Sequence, residues 1–147
     1  MTTAPLSQTA EDYLKEIYKL QTEQGRATTS ALAERVGVSP PSATAMLKKL
    51  AELKLVRHER YHGVTLTRAG EKAAVEVIRH HRLLEQYLSE TLGIPVDEVH
   101  AEADRLEHAL SEELEARIDE SLGYPTHDPH GDPIPAADLS WPADESA

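Results

Sequence analysis

The sequence predicts a mainly α-helical chain, with an N-terminal winged helix-turn-helix followed by an all-helical domain. Three observations carry this reading. Apolar residues recur at helical spacing through most of the chain before Gly123. Two short helical patterns meet at a glycine, Gly37, and two short strand patterns follow them. Charge is divided between the halves: residues 1–70 carry +3 and residues 71–147 carry −14, within a net charge of −11. Such asymmetry suggests two tasks. The first half can meet phosphate. The second can meet cations, or can be a merely soluble acidic domain. The expected division is a winged helix-turn-helix over 1–73, a helical domain over 74–125, and a loop and tail over 126–147.

Ser7 or Thr9 can cap a first helix running to about Glu23, with Ala10, Leu14, Ile17 and Tyr18 on its apolar face. Asp12 falls in its first turn, where the helix dipole favours a carboxylate. Gly25 ends it. Thr28-Thr29-Ser30 offers the next cap, and Ala31, Leu32, Ala33 and Val36 pattern a short helix that stops at Gly37. Ser39 can cap a third helix from Pro40 to about Leu53. Proline suits that first turn because its missing N–H has no partner there anyway. Leu55–Glu59 and Gly63–Thr67 read as two strands turning through Arg60-Tyr61-His62-Gly63, which makes the motif winged.

The segment 27–70 holds seven Lys and Arg against three Asp and Glu, and few aromatic residues that could stack single-stranded bases. It favours double-stranded DNA over RNA. The N-terminal part of a recognition helix reads the major groove. Thr28, Ser39, Pro41, Ser42, Thr44, Lys48, Lys49, Arg57 and Arg60 are therefore the candidate DNA contacts.

Thr67 caps a long helix to about Leu92, and Gly93-Ile94-Pro95 breaks it. The helix opened by Pro95 sets His100, Asp104, Glu107 and His108 at i, i+4, i+7 and i+8, on one stripe. Val99, Ala103, Leu106 and Leu110 form the apolar stripe beside it. On the long helix His81 and Glu85 stand at i, i+4, in line with Ala74, Val77, Ile78 and Leu88 on the side expected to face the core. Ionisable groups there need a partner. A satisfied His–Glu pair answers that need, and so does a divalent metal shared between the two helices, since imidazole and carboxylate suit such ions. Ser111 can restart a helix. The seam Leu106, Leu110, Leu114 and Ile118 invites a homodimer, whose two-fold axis would read a palindromic site. In Thr126–Pro135, His127, Asp128 and His130 have ligand chemistry, but the Pro- and Gly-rich composition reads as a solvated turn. The tail from Trp141 shows no packing pattern.

The chain has no cysteine, so it has neither disulfides nor thiolate ligands. It has no apolar run of membrane-spanning length and no signal-peptide pattern at its start. A soluble, cytoplasmic protein is expected. A catalytic metal site is disfavoured, because no separate nucleophile or base accompanies the cluster and the winged helix would have no use. A metal-independent winged-helix repressor that senses an organic ligand would leave the His and carboxylate stripes without purpose.

These residues resemble the diphtheria-toxin-repressor family of metal-dependent transcriptional regulators, which includes iron and manganese regulators. The resemblance runs through Glu11-Asp12-Tyr13-Leu14, Ala33-Glu34-Arg35, Ser39-Pro40-Pro41-Ser42, His81-Arg82-Leu83-Leu84-Glu85, Val99-His100, Glu107-His108 and Gly131-Asp132-Pro133-Ile134-Pro135. It implies a dimeric repressor of metal-uptake genes with two metal sites per subunit. Asp12, Asp104, Glu107 and His108 would form the primary site, and His81, Glu85 and His100 the ancillary one. The iron regulators have Met and Cys where this chain has Asp12 and Asp104. Two carboxylates in their place make an oxygen-rich site that suits Mn(II), with Fe(II) as the alternative. The short manganese regulators carry Glu where this chain has Lys15, and His100 matches the iron-type ancillary site. Longer members add an SH3-like domain, which is absent from the expected architecture; the acidic tail would then be the start of a linker to it.

Overall fold

The computed structural model describes residues 6–59 and 63–143. Arg60, with Tyr61 and His62 of the expected wing turn, lies outside the described residues. The chain divides into two compact units, Met1–Val75 and Glu76–Ala147.

The first unit opens with α1 (Gln8–Gln24), α2 (Thr29–Val36) and α3 (Pro40–Glu52). Each begins on the hydroxyl cap that the sequence offers. The Ser7, Thr28 and Ser39 side chains accept from the backbone N–H of Ala10, Ala31 and Ser42. This satisfies amides that have no partner inside the helix. Gly25 and Gly37 end α1 and α2 in the left-handed conformation that glycine adopts at least cost. Strands β1 (Val56–Glu59) and β2 (Gly63–Leu66) pair antiparallel, with Val56 opposite Leu66 and Glu59 opposite Gly63. Ala27 adds one further bridge to Val64. The three helices and the hairpin share one core that includes Leu14, Ile17, Leu32, Leu50 and Val64.

Helix α4 (Arg68–Glu90) runs across the boundary between the units. Thr67 starts it: its hydroxyl donates to the Lys54 carbonyl and accepts from the Gly70 N–H. The second unit adds α5 (Val96–Leu106) and α6 (Glu112–Ser121, capped by Ser111). Leu83, Leu84, Ala103, Ile118 and Ile134 form its core. Within the expected seam Ile118 is buried, whereas Leu106 and Leu114 are 42% and 50% exposed.

Two sequence expectations need correction. Helix α5 ends at Leu106, so His108 lies beyond its stripe. Glu107 is the C-cap and His108 lies in the following turn, where the Ala109 N–H donates to the Leu106 carbonyl. The chain must turn there because Ser111 caps α6. The tail also packs in part, for the Arg82 guanidinium lies 5.8 Å from the centre of the Trp141 ring.

The segment after α6 is an ordered strap. The Ile134 N–H donates to the Thr126 carbonyl, and Ile134 inserts into the core. Arg79 and Arg82 of α4 each donate to a strap carbonyl, those of Pro135 and Pro133, at 2.8 Å.

Gly70 tests the seating of α4 on the winged unit. A Cβ there would stand 1.9 Å from the Leu55 carbonyl oxygen. Backbone cannot yield as a flexible side chain does, so Gly70→Ala should cost about 1–3 kcal/mol. Urea unfolding would measure this, and an unchanged midpoint would contradict the close packing.

Candidate metal centre and DNA-contacting face

In the second unit α4 and the end of α5 bring imidazoles and carboxylates together. His81 is central. Its Nδ1 lies 2.6 Å from Glu107 Oε2 and 3.2 Å from Asp104 Oδ1. Its Nε2 lies 3.1 Å from His100 Nδ1 and 3.5 Å from Glu85 Oε2. The two rings meet edge to face, 4.7 Å between centres. Ligand atoms of His81, His100 and Asp104 all fall within 4.8 Å of one another. Glu107 is 1% exposed, and its other oxygen lies 3.2 Å from His108 Nε2. The structure thus joins His81, Glu85, His100, Asp104, Glu107 and His108 in one constellation. Asp12 lies on α1, half-buried, in the first unit.

A second group was not expected. Glu85, Asp128 and His130 also place ligand atoms within 4.8 Å of one another. Asp128 is buried because its Oδ1 accepts from the backbone N–H groups of His130 and Asp132, folding the loop around it. The composition of this stretch predicts a solvated turn; a turn forms, but it is not solvated throughout, since Asp128 is buried. Its hydrophilic residues gave no sign that the turn would press Asp128 against α4. The ligand-type spacing of Asp128 and His130 was the only signal. His127 stands apart, exposed beside the Thr126 hydroxyl.

The electrostatics fit a cation. Among the described residues, the buried oxygens Glu85 Oε2 and Asp128 Oδ2 accept no hydrogen bond. Leaving buried polar atoms unmatched is costly. Burial raises the Asp128 carboxyl above its usual range, and the neighbouring Glu85 carboxylate adds to this. Burial would also raise Glu85, but the close His81 ring, 3.5 Å from its Oε2, holds it down at about 2. Burial disfavours the charged form of His81, yet hydrogen bonds and attraction from Glu107 and Glu85 push it up to about 9. Without a metal, then, a proton on His81 offsets the crowded carboxylates. A divalent cation answers the same need. The donors, imidazole nitrogen and carboxylate oxygen with no sulfur, are the chemistry such an ion takes.

In the first unit the start of α3 is open to solvent, with Ser39, Pro41, Ser42 and Thr44 exposed, and Lys48 and Lys49 are exposed farther along the helix. Ser39 and Ser42 hydroxyls share a hydrogen bond, and Thr44 donates to the Pro40 carbonyl. Arg57 is exposed on β1, while Thr28 is half-buried as the cap of α2. Among the described residues no helix is long and apolar enough to cross a membrane.

A winged helix-turn-helix unit and a helical unit with a His and carboxylate cluster define a class, that of metal-responsive DNA-binding regulators. Family models agree with this division. "Iron dependent repressor, N-terminal DNA binding domain" matches residues 5–64, and "Iron dependent repressor, metal binding and dimerisation domain" matches residues 67–136. The chain is 38% identical over 143 residues to the iron-dependent repressor IdeR of Mycobacterium leprae, spanning 97% of this chain and 62% of that protein. It is 39% identical over 114 residues to an uncharacterized HTH-type transcriptional regulator of Methanocaldococcus jannaschii, spanning 77% of this chain and 91% of that one. A solved manganese-dependent transcriptional repressor in complex with manganese superposes with TM-score 0.83 at 51% identity, over 92% of this chain and 63% of that one. The manganese regulator SloR superposes with TM-score 0.80 at 37% identity, over 98% and 65%. The chain belongs to the iron-dependent repressor family, that of the diphtheria toxin repressor. It spans 56–62% of the length of the IdeR proteins it matches.

His81 gives the metal-free protein a defined pH response. A raised folded-state value means that its stabilisation is complete below about 6.5, the unfolded value, and is lost as pH rises through about 9. The melting temperature of metal-free protein should fall by several degrees across that window, and His81→Gln should flatten the fall. Apparent metal affinity should move the other way, rising by up to about tenfold per pH unit as the competing proton leaves. Calorimetry across pH reads both; a pH-independent affinity would contradict proton displacement at His81.

Proposed function

We propose that this protein is a Mn(II)-dependent transcriptional repressor that binds palindromic operators of metal-uptake genes as a homodimer. The observation that carries the reading is the donor set: Asp104, Glu107 and Glu85 stand with His81 and His100, and no sulfur is present. Oxygen-rich sites suit Mn(II), whereas sulfur ligands select softer ions. The manganese repressors among the structural neighbours support the same reading. Asp104, Glu107 and His108 belong to the primary ion, and the sequence resemblance adds Asp12 from the N-terminal unit. His81, Glu85 and His100 belong to the ancillary ion. Asp128 and His130 reach the other side of Glu85, where the His130 ring is 3.6 Å from its Oε1.

A bound cation supplies the positive charge that lets these carboxylates share a site. The protein's residues do the rest. With a cation held there, His81 would be without its proton, the carboxylates would no longer repel one another, and Asp12 is the ligand that the resemblance adds. The state competent for DNA must bind metal more tightly for this to act as a switch. On DNA, Ser39, Ser42 and Thr44 stand at the end of α3 that enters the major groove. Lys48, Lys49 and Arg57, with Arg60 and Thr28, meet the backbone.

An Fe(II)-dependent regulator is the second reading. It is favoured by His100, which lies with His81 and Glu85 in the arrangement that the resemblance assigns to the iron regulators. Operator selection from random DNA, titrated with Mn(II) and with anaerobic Fe(II), separates the two. Binding with Mn(II) at concentrations where Fe(II) fails is expected, and equal or better response to Fe(II) would overturn the choice. Asp12→Ala should weaken Mn-dependent operator binding by at least tenfold, about 1.4 kcal/mol; unchanged binding would remove Asp12 from the site.

A further inference from the structure

Among the described residues one more imidazole lies beside the metal constellation, and it is engaged elsewhere. His80 follows the buried Arg79 on α4. Its Nε2 lies 2.6 Å from Glu115 Oε2 on α6, and its Nδ1 lies 3.2 Å from the backbone carbonyl of Glu107. Both ring nitrogens face oxygens, so neither is directed at an ion. The Glu107 carbonyl is one that a helix end leaves without an intrahelical partner. His80 supplies the missing donor.

The support behind His80 is itself fixed. Arg79 pairs with Glu115 and Asp119 of α6 and donates to the strap at Pro135. Arg79, Glu115 and Asp119 are all buried. Arg79, His80, Glu115 and Asp119 themselves line a cavity of about 450 Å³, together with Glu76 and Glu112. Glu107 meanwhile points its side chain to His81 and His108, so its backbone is held by one histidine while its carboxylate faces two others.

We propose that His80 is a positioning residue for the metal site: held by Glu115, it clamps the Glu107 carbonyl and so sets where the Glu107 and His108 side chains stand. This rests on the metal-site reading given above. Outer groups that orient ligands typically govern affinity by 10–100-fold in metal sites, and His80 acts on the ligand's backbone.

The test compares wild type with His80→Phe, which keeps a ring of similar bulk and removes both donors, with His80→Gln, which keeps a donor, and with Glu115→Gln. Mn(II) and Co(II) binding are followed by calorimetry and, for Co(II), by its absorption spectrum. Amide exchange of residues 107–110 is followed in metal-free protein. In His80→Phe we expect a roughly tenfold or greater loss of affinity at the Glu107 site and an altered Co(II) spectrum there. Binding that depends on Glu85, Asp128 and His130 should be unchanged, and amide exchange at 107–110 should be faster. His80→Gln should recover part of the affinity, and Glu115→Gln should weaken binding less in the His80→Phe background than alone. Wild-type affinity in His80→Phe would overturn the proposal. So would an equal loss at both sites accompanied by a lower melting temperature. If wild type and Glu107→Ala bind metal identically, the metal-site reading fails instead, and amide exchange in the metal-free protein still decides whether His80 holds the 107–110 turn.

Discussion

The second unit depends on how a buried carboxylate is neutralised. Glu107 is almost wholly out of water, and an unpaired charge there would not be tolerated. His81 answers it at 2.6 Å, and in doing so becomes much more basic than a free imidazole. Glu85, also buried, draws on the same ring. Both acids thus share His81, with His108 beside Glu107 and His130 beside Glu85. Buried ion pairs are weak evidence for stability, because desolvation opposes the Coulomb gain. A cluster with as many carboxylates as imidazoles, in which the buried oxygens Glu85 Oε2 and Asp128 Oδ2 lack a hydrogen-bond donor, is better understood as a place prepared for a cation.

Around that centre the unit uses arginine for architecture and histidine for chemistry. Arg79 and Arg82 fasten the strap to α4 through its carbonyls, and Arg79 also binds α6. A guanidinium suits these roles because its donors are fixed in one plane and it keeps its charge. Histidine can exchange a proton for a metal near neutral pH. The strap is more than a connector, since fastening it to α4 is what brings Asp128 and His130 beside Glu85.

The first unit shows a different economy. Its helices start on serine and threonine caps and stop at glycine, and its apolar positions meet in one core. The polar residues of α3 stay outside, because the helical period that buries Ala43, Leu47 and Leu50 turns Ser42, Thr44, Lys48 and Lys49 outward. Basic charge is thereby concentrated on a rigid element. The acidic second half does not contradict a DNA-binding role, because charge screening confines exposed charges to short range.

Local signals by themselves determined most of the elements. Hydroxyl caps, glycine stops and apolar periodicity act over a few residues, so Gly25, Ser39, Thr67 and Ser111 could be assigned without tertiary information, and the first cap narrowed to Ser7 or Thr9. The i, i+4 spacing of His81 and Glu85, and of His100 and Asp104, was legible for the same reason, and family motifs supplied their grouping. Three matters were decided only by the tertiary structure. Helix α5 stops before Glu107, because a turn must precede the helix that Ser111 caps, and a periodic pattern alone does not show where it is cut. Asp128 and His130 join Glu85 because a hydrophilic loop is pulled onto α4 by arginines more than forty residues earlier in the chain. His80 and His81 are neighbours of identical chemistry, yet one faces the carboxylate cluster and the other a backbone carbonyl and α6. Successive residues on a helix point about 100° apart. Which direction meets which partner is fixed by packing between elements distant in sequence, and no local pattern encodes it.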